Sequence, residues 1–284
     1  MSGIRTVAVI GAGTMGAGIA QVCAFHGYEV NLYDTSKEVL GRSLSRIEKS
    51  LSKFVEKGKI DENKKKEILN RLKTFTDITK NMESVDLVLE ALPEKIEIKM
   101  GSYKIFEKFL KPSAIIGSNT SSIPITALAA STNRRDKFIG IHYMNPVPLM
   151  KGVEIIKGRE TSEDTLEQAK SFIESLDKVP SFAVDYAGGI GARLLDIYLN
   201  EAALSVMNGN IPEEIDRAMM TCANMPMGPC KLMDMIGIDV IADLLKVLED
   251  EWGERFKCAP ILKQMVNAGH IGVKSGRGFY NYQK

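Results

Sequence analysis

Residues 7–16 read Val7-Ala8-Val9-Ile10-Gly11-Ala12-Gly13-Thr14-Met15-Gly16, and they contain the most informative motif of the sequence. The apolar run of residues 7–10 predicts a buried strand, the glycines form a G-x-G-x-x-G pattern, and residues 17–25 are compatible with a helix. Gly11 permits a tight turn, Gly13 lets the backbone approach a pyrophosphate, and Gly16 allows the helix to pack closely on the strand. The stretch therefore predicts a dinucleotide-binding βαβ unit.

An acid follows the second apolar run. Asp34 ends the run 30–33, about 20 residues beyond the glycines, where a carboxylate accepts hydrogen bonds from a ribose diol and repels a 2′-phosphate. Residues 35–37 contain no arginine, although Lys37 is basic, so we expect NAD rather than NADP. The alternative is a tight strand-to-helix turn followed by a helix-capping acid. We expect the cofactor to contact Asp34 and the turn residues Gly11, Gly13, Thr14, Met15 and Gly16.

Short β-branched runs and helical stretches alternate along the first two thirds of the chain. Further runs of this kind lie at residues 85–89, 115–116, 138–141 and 153–156. Alternation of this type predicts βαβ units in a parallel, doubly wound sheet, so the fold class is α/β and Rossmann-type. A lysine-rich stretch from about residue 37 to 73 interrupts the pattern, and its apolar residues recur at helical spacing. We expect a helical hairpin inserted after the second strand.

The character of the sequence changes after Val184. A Gly188-Gly189 pair is followed by apolar residues that recur mainly at helical spacing. With 284 residues the chain exceeds the usual size of one domain. We therefore predict an NAD-binding domain at residues 1–184 and an all-α domain for substrate binding and dimerisation at residues 185–284.

Composition excludes several classes of protein. With 37 basic and 36 acidic residues the net charge is +1, so no global field would attract nucleic acid or anionic lipid. No apolar run reaches about 18 residues, and the strand-like start leaves no room for a signal peptide, so we expect no membrane insertion and no export. The 4 cysteines form no C-x-x-C pair. We expect reduced thiols, a cytoplasmic location and no metal site.

One of the 3 histidines lies at a position suited to catalysis. His142 follows the strand-like residues 138–141, and the carboxyl ends of strands are where open α/β sheets bind ligands. Glu154 is a single acid in the next apolar run, so it needs a buried partner, and an imidazole would serve. Such a glutamate would fix the tautomer of the imidazole and raise its basicity. A structural histidine remains the alternative.

A hydroxyl-rich segment follows another strand. Residues 118–122 read Ser-Asn-Thr-Ser-Ser and come directly after the apolar residues 114–117. Their hydroxyl groups would either bind a substrate oxygen or cap the helix that begins near Pro124. The residues themselves leave both roles open.

Together these motifs resemble the 3-hydroxyacyl-CoA dehydrogenase family, including its 3-hydroxybutyryl-CoA members. The resemblance spans essentially the whole chain and also includes Ala91-Leu92-Pro93-Glu94-Lys95, residues 142–148, Pro226-Met227-Gly228-Pro229 and residues 274–280. It implies NAD-dependent, reversible oxidation of a short-chain (S)-3-hydroxyacyl-CoA to the 3-oxoacyl-CoA, as in β-oxidation. It also implies a homodimer formed through the C-terminal domain.

The resemblance assigns roles to individual residues. It implies that His142 is the catalytic base, that Glu154 orients it, and that Ser121 binds the substrate oxygen. The residues implied to border the nicotinamide half of NAD are Glu94, Lys99, Asn145 and Lys274. The residues implied to contact CoA are Ser50, Lys53 and Lys57 of the lysine-rich hairpin, besides Ser121. Local positive charge suits the CoA phosphates, although lysines on a helix are also common on solvated faces.

The chain departs from the family at one point. Where the family reads Gly-Phe-x-x-Asn-Arg, this chain has Gly188-Gly189-Ile190-Gly191-Ala192-Arg193. Ala192 replaces an asparagine that in the family lies close to the substrate, and losing one such hydrogen bond costs about 1–3 kcal/mol. Three functions therefore stay open: the short-chain thioester dehydrogenase, a dehydrogenase of the same build for a bulkier or non-thioester hydroxy substrate, and a non-catalytic NAD-binding protein.

Overall fold

The computed structural model describes residues 3–283. The chain divides into two compact units, residues 1–186 and residues 187–284. The first unit is an α/β sheet with helices packed on both faces, and the second contains helices with two isolated β-bridges. The predicted Rossmann-type doubly wound sheet with a helical C-terminal region is confirmed.

The sheet has 8 strands in the order β3-β2-β1-β4-β5-β6-β7-β8. All neighbouring strands are parallel except β6 and β7, which are antiparallel. The order reverses between β1 and β4, and the carboxyl ends of strands at such a switch point form a ligand-binding crevice. The strands are β1 (Thr6–Ile10), β2 (Glu29–Tyr33), β3 (Leu72–Phe75), β4 (Leu87–Glu90), β5 (Ile115–Ser118), β6 (Phe138–Tyr143), β7 (Gly152–Lys157) and β8 (Val179–Val184).

Helices connect the strands of the first unit and make up most of the second. Those of the first unit are α1 (Thr14–Phe25), α2 (Lys37–Glu56), α3 (Glu62–Asn70), α4 (Ile96–Phe106), α5 (Ile125–Ala129) and α6 (Glu163–Ser175). Those of the second unit are α7 (Gly191–Met207), α8 (Pro212–Cys222), α9 (Pro229–Ile236), α10 (Ile238–Trp252) and α11 (Pro260–Asn267).

Three features of the sheet differ from the sequence predictions. The helical hairpin ends at Asn70, and residues 72–75, partly assigned to it, form the strand β3. The strand β7 runs antiparallel to β6, because the ten-residue connection between His142 and Val153 is too short for a crossover. The edge strand β8 was not predicted, since Pro180 and its largely exposed residues give no clear alternation.

The strand β1 shows how the sequence builds the core. Val7 and Val9 point to one face of the sheet, whereas Ala8 and Ile10 belong to the apolar cluster on the other face. All four are at most 2% exposed, as expected for a central parallel strand covered on both sides. Burying each large aliphatic side chain contributes roughly 1.5–3 kcal/mol. The turn that follows β1 is therefore attached to a rigid, buried strand.

The helix α2 is amphipathic. Its hydroxyl cap Ser36 accepts a hydrogen bond from the Val39 N–H at 3.3 Å, which begins the helix. Ile47 and Leu51 are at most 1% exposed and pack into the core of the first unit. The opposite face, which carries the lysines, therefore stays at the surface in a fixed register.

Two buried acids organise the second unit. Asp234 accepts hydrogen bonds from the Phe279 and Tyr280 N–H groups, and Asp216 accepts one from the Tyr280 hydroxyl. A Cβ atom at Gly228 would lie 2.2 Å from Asp216 side-chain atoms. The motifs at residues 226–229 and 274–280 thus meet at these two carboxylates, which explains why the sequence has glycine at 228.

Candidate active site

The glycine-rich turn after β1 has the geometry of a phosphate-binding turn. Gly11 has φ +99°, and a Cβ atom on it would lie 2.6 Å from the Ala91 carbonyl oxygen. A Cβ atom on Gly16 would lie 1.7 Å from the Gly11 carbonyl oxygen, so only glycine allows α1 to approach the turn this closely. A Cβ atom on Gly13 would meet nothing within 4 Å, which leaves open space in front of its backbone. The three glycines therefore fit the separate roles predicted for them.

The N-terminus of α1 is suited to binding an anion. Its first residue is preceded by Gly13, no side chain caps its N–H groups, and its first turn contains no acidic residue. Free N–H groups and the helix dipole favour a bound phosphate at such an end. The Asp34 carboxylate lies beside the turn and accepts hydrogen bonds from the Ala12 N–H at 3.0 Å and the Ser36 N–H at 3.1 Å. These groups fit the pyrophosphate and ribose of a dinucleotide.

His142 and Glu154 form a buried pair. They are direct partners in the antiparallel register of β6 and β7, so their side chains lie on the same face. The His142 Nδ1 atom is 3.0 Å from the Glu154 Oε2 atom, and the two residues are 7% and 4% exposed. The glutamate thus fixes Nδ1 as the protonated nitrogen and leaves Nε2 as the basic one.

The serine predicted to bind substrate lies next to this pair. The Ser121 Oγ atom is 3.1 Å from the His142 Nε2 atom. Residues 118–122, here called the serine loop, continue from β5 at the carboxyl edge of the sheet. The Asn119 side chain accepts a hydrogen bond from the Tyr143 N–H at 2.8 Å and ties the serine loop to β6. Ser121, His142 and Glu154 therefore form one continuous hydrogen-bonded row.

Glu94 binds the backbone of the serine loop. Its Oε1 atom accepts hydrogen bonds from the Ser121 N–H at 2.9 Å and the Ser122 N–H at 3.0 Å, and also from the Thr120 hydroxyl. Burial raises the pKa of the Glu94 carboxyl, but the Lys99 ammonium and hydrogen bonds from Thr120 and Ser122 together lower it by more. The pKa of Glu94 therefore lies below its ordinary value. Glu94 is therefore charged and oriented.

Lys99 is buried and fully paired. Its side chain is 1% exposed, and its ammonium lies 2.7 Å from Glu90 Oε1, 3.3 Å from the Leu92 carbonyl oxygen and 3.2 Å from Glu94 Oε2. These three partners take all the protons that an ammonium offers. Lys99 is therefore placed to orient Glu94, and its position beside the nicotinamide stays a prediction.

A groove of about 430 Å³ lies in the first unit between α1, α2 and residues 145–149. The side chains predicted to contact CoA, Ser50, Lys53 and Lys57, line it together with Asn145 and Thr14. The groove thus brings together residues that the resemblance assigned to the CoA and to the cofactor. Its other lining residues include Gln21, Arg46, Lys49 and Val147.

The remaining predicted residues lie in the second unit. Lys274 donates a hydrogen bond to the Asp239 carboxylate at 2.7 Å. Ala192 belongs to the first turn of α7, directly before Arg193, whose guanidinium lies 3.8 Å from the centre of the Trp252 ring. The other predicted site residues, including Ser121, Glu94, Lys99 and the groove residues, lie in the first unit together with His142.

Some residues of the site were missed by the sequence analysis. Glu90 is 0% exposed and lies at the end of β4, and Lys178 donates to the Val147 and Met150 carbonyl oxygens at 2.8 and 2.6 Å. A single acid after the apolar residues 87–89 was a signal for Glu90, of the same kind that pointed to Glu154. Lys178 gave no comparable signal.

Residues 3–283 contain neither a metal-binding cluster nor a membrane-spanning helix. No group of three or more His, Cys, Asp or Glu side chains within this range is arranged to hold a metal ion. None of the helices within it has the length and apolar character to cross a bilayer.

Comparisons with known proteins agree with this geometry. Residues 6–185 match the family described as 3-hydroxyacyl-CoA dehydrogenase, NAD binding domain, and residues 188–282 match its C-terminal domain. The 3-hydroxybutyryl-CoA dehydrogenase of Clostridioides difficile is 40% identical over 280 residues, covering 98% of this chain and 99% of that one. The mitochondrial hydroxyacyl-coenzyme A dehydrogenase of Homo sapiens is 40% identical over 293 residues, covering 99% and 92%.

A solved structure is similar throughout. The (S)-3-hydroxybutyryl-CoA dehydrogenase of Ralstonia eutropha superimposes with a TM-score of 0.94 at 39% identity, covering 99% of this chain and 100% of that one. The two family matches together span nearly the whole chain, from residue 6 to residue 282. The chain therefore belongs to the 3-hydroxyacyl-CoA dehydrogenase family.

Proposed function

We propose that the protein catalyses the reversible, NAD-dependent oxidation of a short-chain (S)-3-hydroxyacyl-CoA, such as 3-hydroxybutyryl-CoA, to the 3-oxoacyl-CoA. The observation that carries this proposal is the row Ser121, His142 and Glu154 at the same sheet edge as the dinucleotide-binding turn. Family membership supports the substrate class, because the similar proteins described above are named for this reaction.

His142 moves the proton of the reaction. With Nδ1 donating to Glu154, the Nε2 atom accepts the proton of the 3-hydroxyl group, and Glu154 stabilises the imidazolium that results. Bound NAD supplies the other half of the chemistry by accepting a hydride from C3. The Ser121 hydroxyl donates to the substrate oxygen and keeps it close to Nε2. In the reverse direction the imidazolium returns the proton.

The cofactor contacts that we propose use the turn and the loop beside it. Gly11, Gly13, Thr14, Met15 and Gly16 offer backbone to the pyrophosphate, and Asp34 accepts from the ribose. Glu94 and Asn145 border the nicotinamide. The Lys99 ammonium orients Glu94 by pairing with its carboxylate, and its other protons are taken by Glu90 and the Leu92 carbonyl oxygen. The approach of Lys274 to the nicotinamide stays a prediction.

The CoA portion binds along α2. Ser50, Lys53 and Lys57 line the groove of about 430 Å³, and their two ammonium groups provide local positive charge for the CoA phosphates. The fixed register of α2, anchored by Ile47 and Leu51, keeps this face toward the groove. Binding should therefore weaken with salt more than a purely apolar contact would.

The experiment that tests the function compares two oxo substrates. Purified protein should oxidise NADH rapidly with acetoacetyl-CoA and at least 100-fold more slowly with free acetoacetate, because only the thioester carries the phosphates that the lysines of α2 bind. Equal rates with both would show that CoA is not recognised, and no NADH oxidation with either would reject the function.

A second candidate function rests on the segment at residues 188–193. Gly189 and Ala192 leave less side-chain volume and one hydrogen-bonding group fewer than the family pattern, which favours a bulkier or less polar acyl group. Ala192→Asn tests this. A large gain with acetoacetyl-CoA would favour a shifted substrate range, whereas little change would mean that Ala192 is a tolerated variation. NADH oxidation in any of these assays excludes a non-catalytic NAD-binding protein.

We further propose that the protein is a cytoplasmic homodimer that works in β-oxidation. Exposed apolar side chains in the second unit, including Leu194, Ile211 and Met235, support assembly through this unit. The cysteines are all free, which agrees with a reducing compartment. Light scattering during size-exclusion chromatography tests the dimer, since a mass of 31.3 kDa would identify a monomer.

A further inference from the structure

Glu90 is a buried carboxylate that the mechanism above does not use. It is 0% exposed and accepts four hydrogen bonds. Its Oε1 atom accepts from the Lys99 ammonium and the Leu92 N–H, both at 2.7 Å. Its Oε2 atom accepts from the Tyr103 hydroxyl at 2.6 Å and the Ser118 hydroxyl at 2.7 Å. Charged acceptors form strong hydrogen bonds, so these four donors are held in fixed positions.

One path from Glu90 reaches the serine loop through two further charges. The Lys99 ammonium that Glu90 binds lies 3.2 Å from Glu94 Oε2. The other oxygen of Glu94 accepts from the N–H groups of Ser121 and Ser122 at 2.9 and 3.0 Å. The side chain of Glu94 is 36% exposed, and the Lys99 ammonium binds the Glu94 oxygen that the loop leaves free. Glu90 thus fixes the cation that orients Glu94.

A second path is direct. Ser118 begins the serine loop and donates to Glu90 Oε2 from the end of β5. Glu90 and Ser118 are register partners in the parallel pair of β4 and β5. Both paths end at the residue next to the reacting atoms, because Ser121 Oγ is 3.1 Å from His142 Nε2.

This arrangement matters for the rate because the Ser121 hydroxyl must align with both His142 and the substrate. Displacement of a reacting or binding group by about 1 Å costs up to 100-fold in rate. A loop whose N–H groups and first hydroxyl are fixed by a buried charge keeps this alignment without reorganisation.

We propose that Glu90 is a positioning residue of the reaction: it fixes the serine loop through Lys99–Glu94 and through Ser118, so that Ser121 stays aligned with His142. This inference rests on the proposed function and deepens it. It assigns Glu90 no contact with substrate or cofactor.

Kinetics of Glu90→Gln test the proposal. The amide keeps the shape but removes the counter-charge of Lys99 and one acceptor oxygen. We expect kcat for acetoacetyl-CoA reduction to fall about tenfold while KM for the thioester stays within twofold, at a temperature where the variant is folded. A role in stability alone would lower the unfolding temperature and leave kcat of the folded protein unchanged.

A matched pair of variants covers the case in which Glu90→Gln does not fold. Ser118→Ala and Tyr103→Phe each remove one hydroxyl donor from the same Glu90 Oε2 atom. Tyr103 belongs to α4 and ties Glu90 to that helix, whereas Ser118 ties it to the serine loop. We expect Ser118→Ala to lower kcat about fivefold and Tyr103→Phe to change it less than twofold.

A spectroscopic readout makes the test independent of turnover. The chain has only 3 histidines, so long-range ¹H–¹⁵N spectra resolve each imidazole, and His142→Gln assigns the signals of His142. Glu90→Gln should shift the Nε2 signal of His142 and leave those of His26 and His270 unchanged. If wild type reduces no 3-oxoacyl-CoA, the proposed function fails. The chemical shifts of His142 still decide whether Glu90 positions the serine loop beside it.

Two results would overturn the proposal. One is an unchanged His142 signal together with a kcat within twofold of wild type in Glu90→Gln. The other is equal kinetic effects of Ser118→Ala and Tyr103→Phe, which would show that Glu90 supports the fold and not the loop.

Discussion

Two carboxylates, one in each unit of the chain, have opposite electrostatic surroundings. In the first unit Glu94 lies beside Lys99 and several hydrogen-bond donors, and its pKa is lowered. In the second unit Asp196 is 3% exposed on α7, its Oδ2 atom has no hydrogen-bond partner among the described residues, and burial alone raises its pKa to about 7. Both lose solvation, so the presence of a nearby cation and donors decides whether a buried acid stays charged.

The two units differ in whether their buried charges have partners of opposite charge. The site end of the sheet contains buried ionisable groups whose partners are close, namely Glu90 with Lys99 and His142 with Glu154. Such clusters contribute little net stability, since desolvation offsets the attraction, but they fix geometry. Asp196 has no such partner among residues 3–283, and its ionised form therefore costs stability.

The largest effect should come from the histidine pair. Glu154→Gln removes the charge that stabilises the imidazolium, so we expect kcat for acetoacetyl-CoA reduction to fall roughly 10²- to 10⁴-fold. NADH affinity, measured by fluorescence titration, should change little because neither residue belongs to the glycine-rich turn. A kcat within threefold of wild type would contradict the role of Glu154.

Removing the Lys99 ammonium, which pairs with Glu90, should have the next largest effect. Lys99→Met leaves the Glu90 charge buried without its counter-ion, and we expect a loss of about 3–5 kcal/mol in the free energy of unfolding, measured with urea. Lys64→Met is the control, since its pair with Glu67 is largely exposed and worth at most about 1 kcal/mol. Equal losses in both variants would reject the contrast between buried and exposed pairs.

Removing the unpaired charge of Asp196 should raise the stability of the protein, and the gain should depend on pH. Since the folded pKa of Asp196 is raised from 3.8 to about 7, its penalty is absent below pH 4, grows between pH 4 and 7, and is complete above pH 7. Asp196→Asn should therefore raise the free energy of unfolding by roughly 2–4 kcal/mol at pH 8. The same comparison at pH 4 should show no difference, and a gain that is independent of pH would contradict this explanation.

The smallest effect concerns a buried cation with neutral partners. Lys178 donates to the Val147 and Met150 carbonyl oxygens, and burial and then the charge of Lys151 lower the pKa of its ammonium. Lys178→Met should cost about 1–2 kcal/mol, and it should raise KM for the thioester about threefold because Val147 lines the groove. Lys178→Arg should recover part of the KM. An unchanged KM would show that the groove does not need this contact.

The sequence predicted the parts of the fold that are buried on both faces. The central strands read as continuous apolar runs, and the glycine-rich turn appeared at its exact spacing from β1 and Asp34. The edge strands β3 and β8 were missed because they are half exposed and include Lys73 and Pro180, which are unusual in strands. The direction of β7 depends on a short connection and not on its own composition.

The contacts of the site could be predicted from the sequence where partners are close in register, and not where they come from distant elements. Glu154 is the register partner of His142, so a lone acid in the next strand was a usable signal. The partners of Glu90 come from α4 and β5, up to 28 residues away, and no spacing rule connects them. The sequence also does not show that the Lys99 ammonium is fully paired, because its partners Glu90 and Glu94 are brought to it by the fold.

The role of His142 is best tested by the rate of NADH oxidation with acetoacetyl-CoA, measured for wild type and His142→Gln beside the reverse reaction and across pH. If His142 carries the proton, the variant loses at least 100-fold in kcat while still binding NADH, and in wild type reduction slows while oxidation accelerates as pH rises. A variant as active as wild type, or wild-type rates with the same pH trend in both directions, would contradict the account.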